Sequence, residues 1–431
     1  MKAQSLVGID IGSSKITTLI ALRSEETNSI NVVGVASLPS SGIKKSQIVD
    51  IDEVIKSITS SVEAAERMAG LSVSKAFINI GGSQIASKNS TGVVAVSQPE
   101  GEITPEDVRR VIDSARAVSL PTSQDVLHVL PRQYKVDGQD GIKDPVSMTG
   151  VRLEAEAHLV LGSTISIKNL TKCVSELGIG VEGLVYSGLA ASESVLTSTE
   201  KELGVVLVDI GGGTTSIAIW VDGSLSHSAV LPIGAKNITN DLAIGMRLGL
   251  DVAEEVKKHL GDKVQMAGKD GKEGKNEDNK EGDLDLAKFG AEEHIKASRK
   301  TLVEGIIRPR LQEIFSMVGE SIKESGFGGR TPAGVVITGG GAKTVEVDTI
   351  CKRVLSMPVR IGSPHSLNGL VDDMRHDPAY SVSEGLIIYA SKANVVSRSG
   401  GNSGSIVRGL TDRLPKGMFG RAIEFVKQFL P

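Results

Sequence analysis

The stretch 204-GVVLVDIGGGTTSIAI-219 decides how this chain folds. An apolar run, Val205 to Val208, meets Asp209; glycines and threonines follow, and then Ser216-Ile217-Ala218-Ile219 alternates polar and apolar. An apolar run closed by a turn signal and followed by period-two alternation predicts a strand, a tight turn and a second strand. Gly211, Gly212 and Gly213 carry no Cβ, so several backbone N–H groups can approach one anion, and Thr214 and Thr215 add hydroxyl donors. Asp209 would repel a phosphate unless a hydrated divalent cation, Mg2+ above all, stood between them. The stretch reads as a cradle for a metal-bound phosphate. The plainer alternative is a glycine-rich hairpin with a capping Asp, and a short match of this kind needs context.

The context is repetition. Residues 7–15, VGIDIGSSK, carry the same apolar strand, the same Asp-Ile-Gly at Asp10 to Gly12 and a small polar turn, and residues 16–22 supply the return strand. Two such hairpins far apart in the chain imply two related halves facing one ligand. A third glycine turn, Gly339-Gly340-Gly341-Ala342, follows the apolar strand 335–337. It continues into Lys343-Thr344, but Ala342 stands where a Walker-type phosphate loop requires glycine, so that motif is set aside.

Three turns in this order resemble the actin-like ATPase superfamily, in which two phosphate hairpins and an adenosine turn close over ATP. The resemblance sharpens to the FtsA family of bacterial division proteins. It is carried by 187-SGLAAS-192, 202-ELG-204, 302-LVEGIIRPRLQEI-314, 359-VRIG-362, residues 380–389 and the amphipathic C-terminus, and it covers nearly the whole chain. It implies an α/β, actin-like (duplicated RNase H-like), two-lobed fold with an inserted α+β subdomain and a C-terminal amphipathic helix. The implied phosphate contacts are Gly12, Ser13, Ser14 and Lys15 in the first hairpin, and Gly211, Gly212, Gly213, Thr214 and Thr215 in the second. Adenosine would meet Gly234, Asn237, Glu293, Lys296, Lys300, Gly339, Gly340, Gly341 and Ala342, and Asp10 and Asp209 would hold Mg2+ through water. For Glu293, Lys296 and Lys300 a solvated charged helix face is the competing explanation.

The same resemblance divides the chain. Subdomain 1A takes residues 1–82 and 163–196, with the chain returning to it at 381–395; the inserted subdomain 1C takes 83–162. Subdomain 2A takes 197–238 and 326–380, and 2B takes 239–325 with a loop at 266–284. Residues 268–283, GKDGKEGKNEDNKEGD, contain no apolar residue and cannot offset the entropy of ordering, so a surface loop is expected there. Residues 292–317 are read as a charged helix interrupted at Pro309. In 1C, Thr104 followed by Pro105 announces a helix.

Composition excludes several classes. A net charge of −4 gives no case for nucleic-acid binding. The 2 cysteines, Cys173 and Cys351, lack paired spacing and read as buried small hydrophobes in a reducing compartment. No apolar run approaches the roughly 20 residues that span a bilayer.

The end of the chain is different. Residues 397–405, SRSGGNSGS, lie in a flexible linker placed at 396–415, which leads to 416-KGMFGRAIEFVKQFLP-431. On a helical wheel Met418, Phe419, Ile423, Phe425, Val426, Phe429 and Leu430 share one face, with Arg421 and Lys427 on the other. Aromatics are only 3% of the chain, so three in one short tail call for a partner. Anionic membrane lipids fit the basic flanks; docking on the protein's own core is the alternative.

The expected function is therefore an ATP-binding actin homologue that polymerises and ties the FtsZ ring to the cytoplasmic face of the inner membrane at the division site. The resemblance implies that the FtsZ C-terminal peptide is received at 2B and later division proteins at 1C. Ser187-Gly188 stand where efficient ATPases of the superfamily place Glu or Gln to orient water, so ATP binding without fast turnover is expected. The rival is a small-molecule kinase of the same superfamily.

Overall fold

The computed structural model describes residues 3–24, 26–98, 101–269, 283–291, 296–365 and 367–398. Its frame is a pair of five-stranded sheets with the same connectivity. In the first lobe the order is Gly180–Tyr186, Lys75–Ile80, Ala3–Ile11, Lys15–Ser24, Ile30–Pro39. In the second it is Val359–Ile361, Val335–Thr338, Val205–Ile210, Thr215–Val221, Ser224–Leu231. In each, hairpins join three antiparallel strands, and two crossover strands add in parallel beside the first. Even the register matches: Asp10 lies opposite Thr17, and Asp209 opposite Ser216.

The unbroken apolar run of the second lobe follows from where its strand sits. Val205 and Leu207 point into a core shared with the first lobe, whereas Val206, Val208 and Ile210 point into the second lobe's own core. A strand covered on both faces needs apolar residues at every position, not at alternate ones.

Helix Ile51–Ala69 closes the back of the first sheet. Asp50 caps it by accepting from the Glu53 N–H, Gly70 ends it at φ 65, and Val54, Ile58, Val62 and Ala65 form its buried stripe. The last helix, Ser381–Arg398, returns to the first lobe and packs against the strand Ala3–Ile11 and the helix Ser187–Val195. That approach depends on Gly385, where a Cβ would collide with the Ala190 carbonyl.

The insertion is an antiparallel sheet ordered Ala86–Ala95, Arg152–Ser163, Gln124–Val136, Gln139–Ile142. Helix Pro105–Arg116 crosses it and opens with the expected cap, a reciprocal box between Thr104 and Asp107. The insertion also rests on the second lobe: His158 bonds Ser228 Oγ at 3.0 Å, and Arg132 Nε donates to Ser226 Oγ at 3.1 Å.

Some boundaries differ from the sequence expectations. The stretch read as a charged helix over 292–317 is helical only after Ser298, and residues 292–295 lie outside the described residues. Lys296–Ser298 pairs as a strand with Asp283–Asp285, a π-helical turn covers Thr301–Ile307, and an α-helix runs Arg308–Glu324. Pro309 follows directly on the π-helical turn, so its missing N–H removes one bond from an otherwise continuous helical run, next to the irregular turn Thr301–Ile307. Of the loop expected at 266–284, residues 266–269 belong to helix Leu250–Lys269 and residues 283–284 to strand Asp283–Asp285, while 270–282 lie outside the described residues. Residues 396–398 of the expected linker belong to the last helix, and the rest of it lies outside the described residues. The amphipathic segment 416–431 lies outside the described residues. Cys173 and Cys351 are both free and buried. Among the described residues no helix is long and apolar enough to cross a membrane.

Candidate functional site

The two hairpins face each other across the interlobe cleft. Each turn closes in the same way: the Gly12 N–H donates to Lys15 O at 3.1 Å, and the Gly211 N–H to Thr214 O at 2.9 Å. Their tips touch. Lys236 Nζ from the second lobe donates to Ser13 O at 2.7 Å, and a Cβ on Gly212 would collide with Ser14 Oγ. The third turn joins at the base of the second hairpin, where Gly339, at φ 82, has no room for a Cβ beside Asp209 Oδ1 and Ile210 O. The helix Ala235–Met246 begins here, and the Ala235 and Lys236 N–H groups donate to Gly211 O and Gly212 O at 2.9 and 2.8 Å.

Asp10 and Asp209 end the two central strands, the first half-buried and the second buried, near enough to repel. Burial is the main cause that pushes Asp209 up to about 7, and the charge of Asp10 adds to it. Burial also pushes Asp10 up to about 6, against the opposing pull of Lys15 and a hydrogen bond from Ser383. Asp10 is held on two sides, since Asn79 Nδ2 donates to Oδ1 at 2.8 Å and Ser383 Oγ to Oδ2 at 3.1 Å. Among the described residues none donates to the Asp209 carboxylate. A half-buried and a buried carboxylate, the second without donors among the described residues, suit a cation that carries its own water. Among the described residues no group of three or more His, Cys, Asp or Glu gathers for direct ligation. The donor set therefore fits a hydrated ion shared with phosphate and not a closed protein cage.

Lys15 bends away from its hairpin. Its Nζ lies 3.4 Å from the centre of the Tyr380 ring, and burial lowers its pKa to about 8 although Asp10 and Asp377 oppose this. Lys343, just past the third turn, pairs with Asp377 at 3.0 Å. Ser187 is buried at the start of its helix; its hydroxyl donates to Ile80 O at 3.2 Å and accepts from Asn79 at 3.3 Å.

The expected adenosine contacts divide. Gly234, Gly339, Gly340, Gly341 and Ala342 gather beside the second hairpin. Asn237 is already engaged, its Oδ1 accepting from the Gly234 N–H at 3.1 Å, so it shapes the turn. Asp241 pairs with Arg310 at 2.6 Å. Lys296 and Lys300 lie exposed on the short strand and just ahead of the π-helical turn; Glu293 lies outside the described residues. Sequence reasoning missed Asn79 and Ser383. It also missed Lys257, buried in helix Leu250–Lys269 with its Nζ donating to Glu254, Thr239 and Ala235 O at the edge of the cleft.

Comparison with known proteins gives the family and the fold. Residues 82–161 match the model of the SHS2 domain inserted in FtsA, and residues 206–385 match that of the cell division protein FtsA. FtsA of Pseudomonas aeruginosa is 38% identical over 401 residues, 93% of this chain and 92% of that protein. FtsA of Bacillus subtilis is 37% identical over 386 residues, 90% of this chain and 83% of that protein. Among solved structures, the PilM–PilN type IV pilus biogenesis complex matches with a TM-score of 0.61 at 15% identity, covering 90% of this chain and 98% of that one. MreB5 of Spiroplasma citri bound to AMPPNP matches at 0.52 and 14%, covering 93% of this chain and 100% of that one. These two likenesses concern the fold, which is actin-like. With its duplicated sheets, its SHS2 insertion and identity of this order over nine-tenths of its length, the chain belongs to the FtsA family of cell division proteins.

Proposed function

We propose that this chain binds ATP with Mg2+ between its two lobes, polymerises, and anchors the FtsZ ring to the inner face of the cytoplasmic membrane. The observation that carries the nucleotide site is the pair of aspartates, one half-buried and one buried, at the bases of two facing hairpins. Gly12 to Lys15 and Gly211 to Thr215 would hold the phosphates through backbone N–H groups and hydroxyls, and Gly339 to Ala342 with Gly234 would flank adenosine. Asp10 and Asp209 would hold Mg2+ through water, and the ion would neutralise phosphate charge. Lys15 would leave the Tyr380 ring for a phosphate oxygen, exchanging a cation–π contact for a charge-assisted hydrogen bond.

Ser187 supports slow turnover. Its hydroxyl is a weak base, and it is committed to Ile80 O and Asn79. The amphipathic segment 416–431 would lie in the lipid interface. Subdomain 2B would receive the FtsZ peptide, and 1C is the surface offered to later division proteins.

Calorimetric titration with Mg-ATP tests the site. Saturable binding that is lost in the Asp10→Asn/Asp209→Asn double variant supports it, and no binding to the wild type refutes it. A turnover above about one per second, ordinary for enzymes, would refute the slow-ATPase assignment. Liposome flotation of the chain with and without residues 419–431 tests the membrane role, since recovery with lipid should vanish on truncation. Phosphoryl transfer to any of a panel of sugars or acids would favour the kinase alternative.

A further inference from the structure

Between the third strand of the first lobe and helix Ile51–Ala69 lies a small hairpin, Ile43–Lys44 paired with Gln47–Ile48. Its turn is Lys45-Ser46, and both residues take left-handed backbone angles, φ 49 and 57. Asn-Gly would build the same two-residue turn with far less strain. Strain retained at consecutive non-glycine positions directs attention to the side chains placed there.

Those positions lie against both phosphate hairpins. The Ser46 N–H donates to Ser13 Oγ at 2.9 Å, and Ser46 Oγ shares a hydrogen bond of 3.0 Å with Thr214 Oγ1. A Cβ on Gly213 would lie 3.0 Å from both N and Cα of Lys45. Gly81 is also close, because a Cβ there would be 3.6 Å from Ser46 Oγ and 3.3 Å from Ser187 Oγ. The turn thus closes the tip of the second hairpin, while Gly339 closes its base beside Asp209. A nucleotide whose adenosine sits at the Gly339 end presents its last phosphate to Lys45 and Ser46.

We infer that the Lys45-Ser46 turn is a third phosphate-contacting element, which reads the terminal phosphate and so sets the preference for a nucleoside triphosphate over a diphosphate. The inference rests on the nucleotide reading above and adds a specificity determinant to it. Lys45 is exposed and free to reach a phosphate oxygen without disturbing the core. The Ser46 hydroxyl, now bridging the lobes through Thr214, would exchange that bond for one to phosphate.

The test titrates the full chain with Mg-ATP and, separately, Mg-ADP. Lys45→Ala should weaken ATP about tenfold or more, the scale of a hydrogen bond to a charged group, and leave ADP affinity and the melting temperature unchanged. Lys45→Arg should restore most of the loss. A Lys45→Asn/Ser46→Gly double variant keeps the turn but removes its ammonium and hydroxyl, and should weaken ATP at least as much as Lys45→Ala while sparing ADP. Equal weakening of both nucleotides, or no change in their ratio, overturns the inference. Failure of the wild type to bind either nucleotide overturns the reading beneath it, an outcome visible before any variant is compared.

Discussion

The two hairpins share strand order, register and turn closure, yet their aspartates live differently. Asp10 is fixed by Asn79 and Ser383 and faces Lys15; Asp209 has burial and the negative charge of Asp10 for company. Duplication of a fold therefore does not duplicate a site. The backbone supplies two equivalent cradles, and the neighbours make one carboxylate an anchored fixture and leave the other for a ligand to satisfy.

The same asymmetry reaches the glycines that follow the parallel strands, and it gives the largest expected effect. Gly339 and Gly82 each follow a parallel strand with a positive φ, 82 and 99. A methyl at Gly339 meets a buried carboxylate and the Ile210 carbonyl; at Gly82 it meets the movable end of Gln84. Gly339→Ala should cost about 3 kcal/mol or more, and Gly82→Ala about 1, read from urea midpoints. Equal losses would show that backbone angle alone governs both sites.

Exchanging each aspartate for asparagine probes the carboxylates directly. The folded-state pKa of Asp209 is raised, so its stability contribution is fully present below the unfolded value near 4 and is lost as pH rises through about 7. Without nucleotide at pH 8, Asp209→Asn should therefore stabilise the protein by about 2 kcal/mol. Asp10→Asn should stabilise it less, because Asn79, Ser383 and Lys15 already favour the charged form. Thermal unfolding at pH 5 and pH 8 measures both, and an equal gain would erase the contrast.

Among the described residues of the second lobe no glutamate is buried as Glu384 is. Fully buried in the last helix, it accepts from the Leu367 N–H at 3.1 Å through Oε2, its Oε1 has no partner among the described residues, and burial pushes it up to about 7. By the same sign rule, Glu384→Gln should add about 1.5 kcal/mol at pH 8 and little at pH 5. A pH-independent change would mean that shape, not charge, matters there. The smallest effect is expected from Ser383→Ala, about 1 kcal/mol. Its signature is an Asp10 titration that moves up toward that of Asp209, visible by NMR.

Much of this frame was legible in the sequence because glycine, alternation and apolar runs report backbone geometry. The hairpins at Asp10 and Asp209, the third turn at Gly339 and the helix after Thr104 all formed where expected. Side chains that reach the site from elsewhere were not legible. Asn79 did leave a trace, a polar residue near the end of the buried strand Lys75–Ile80, where Thr338 ends the equivalent strand of the second lobe. Ser383 left none, since a serine in a helix says nothing of what it faces. The strand Lys296–Ser298 is too short for a period to show, and left-handed angles at Lys45 and Ser46 have no signal when neither residue is glycine or asparagine.

The alternation along Val205–Ile210 has a practical consequence. Because Val205, Leu207, Ala218 and Trp220 complete the other lobe's interior, neither half is a self-sufficient module. A fragment beginning near residue 197 would bare that wall to water and clump, so dissection by truncation would report on stickiness and not on function. Heat should melt both halves together.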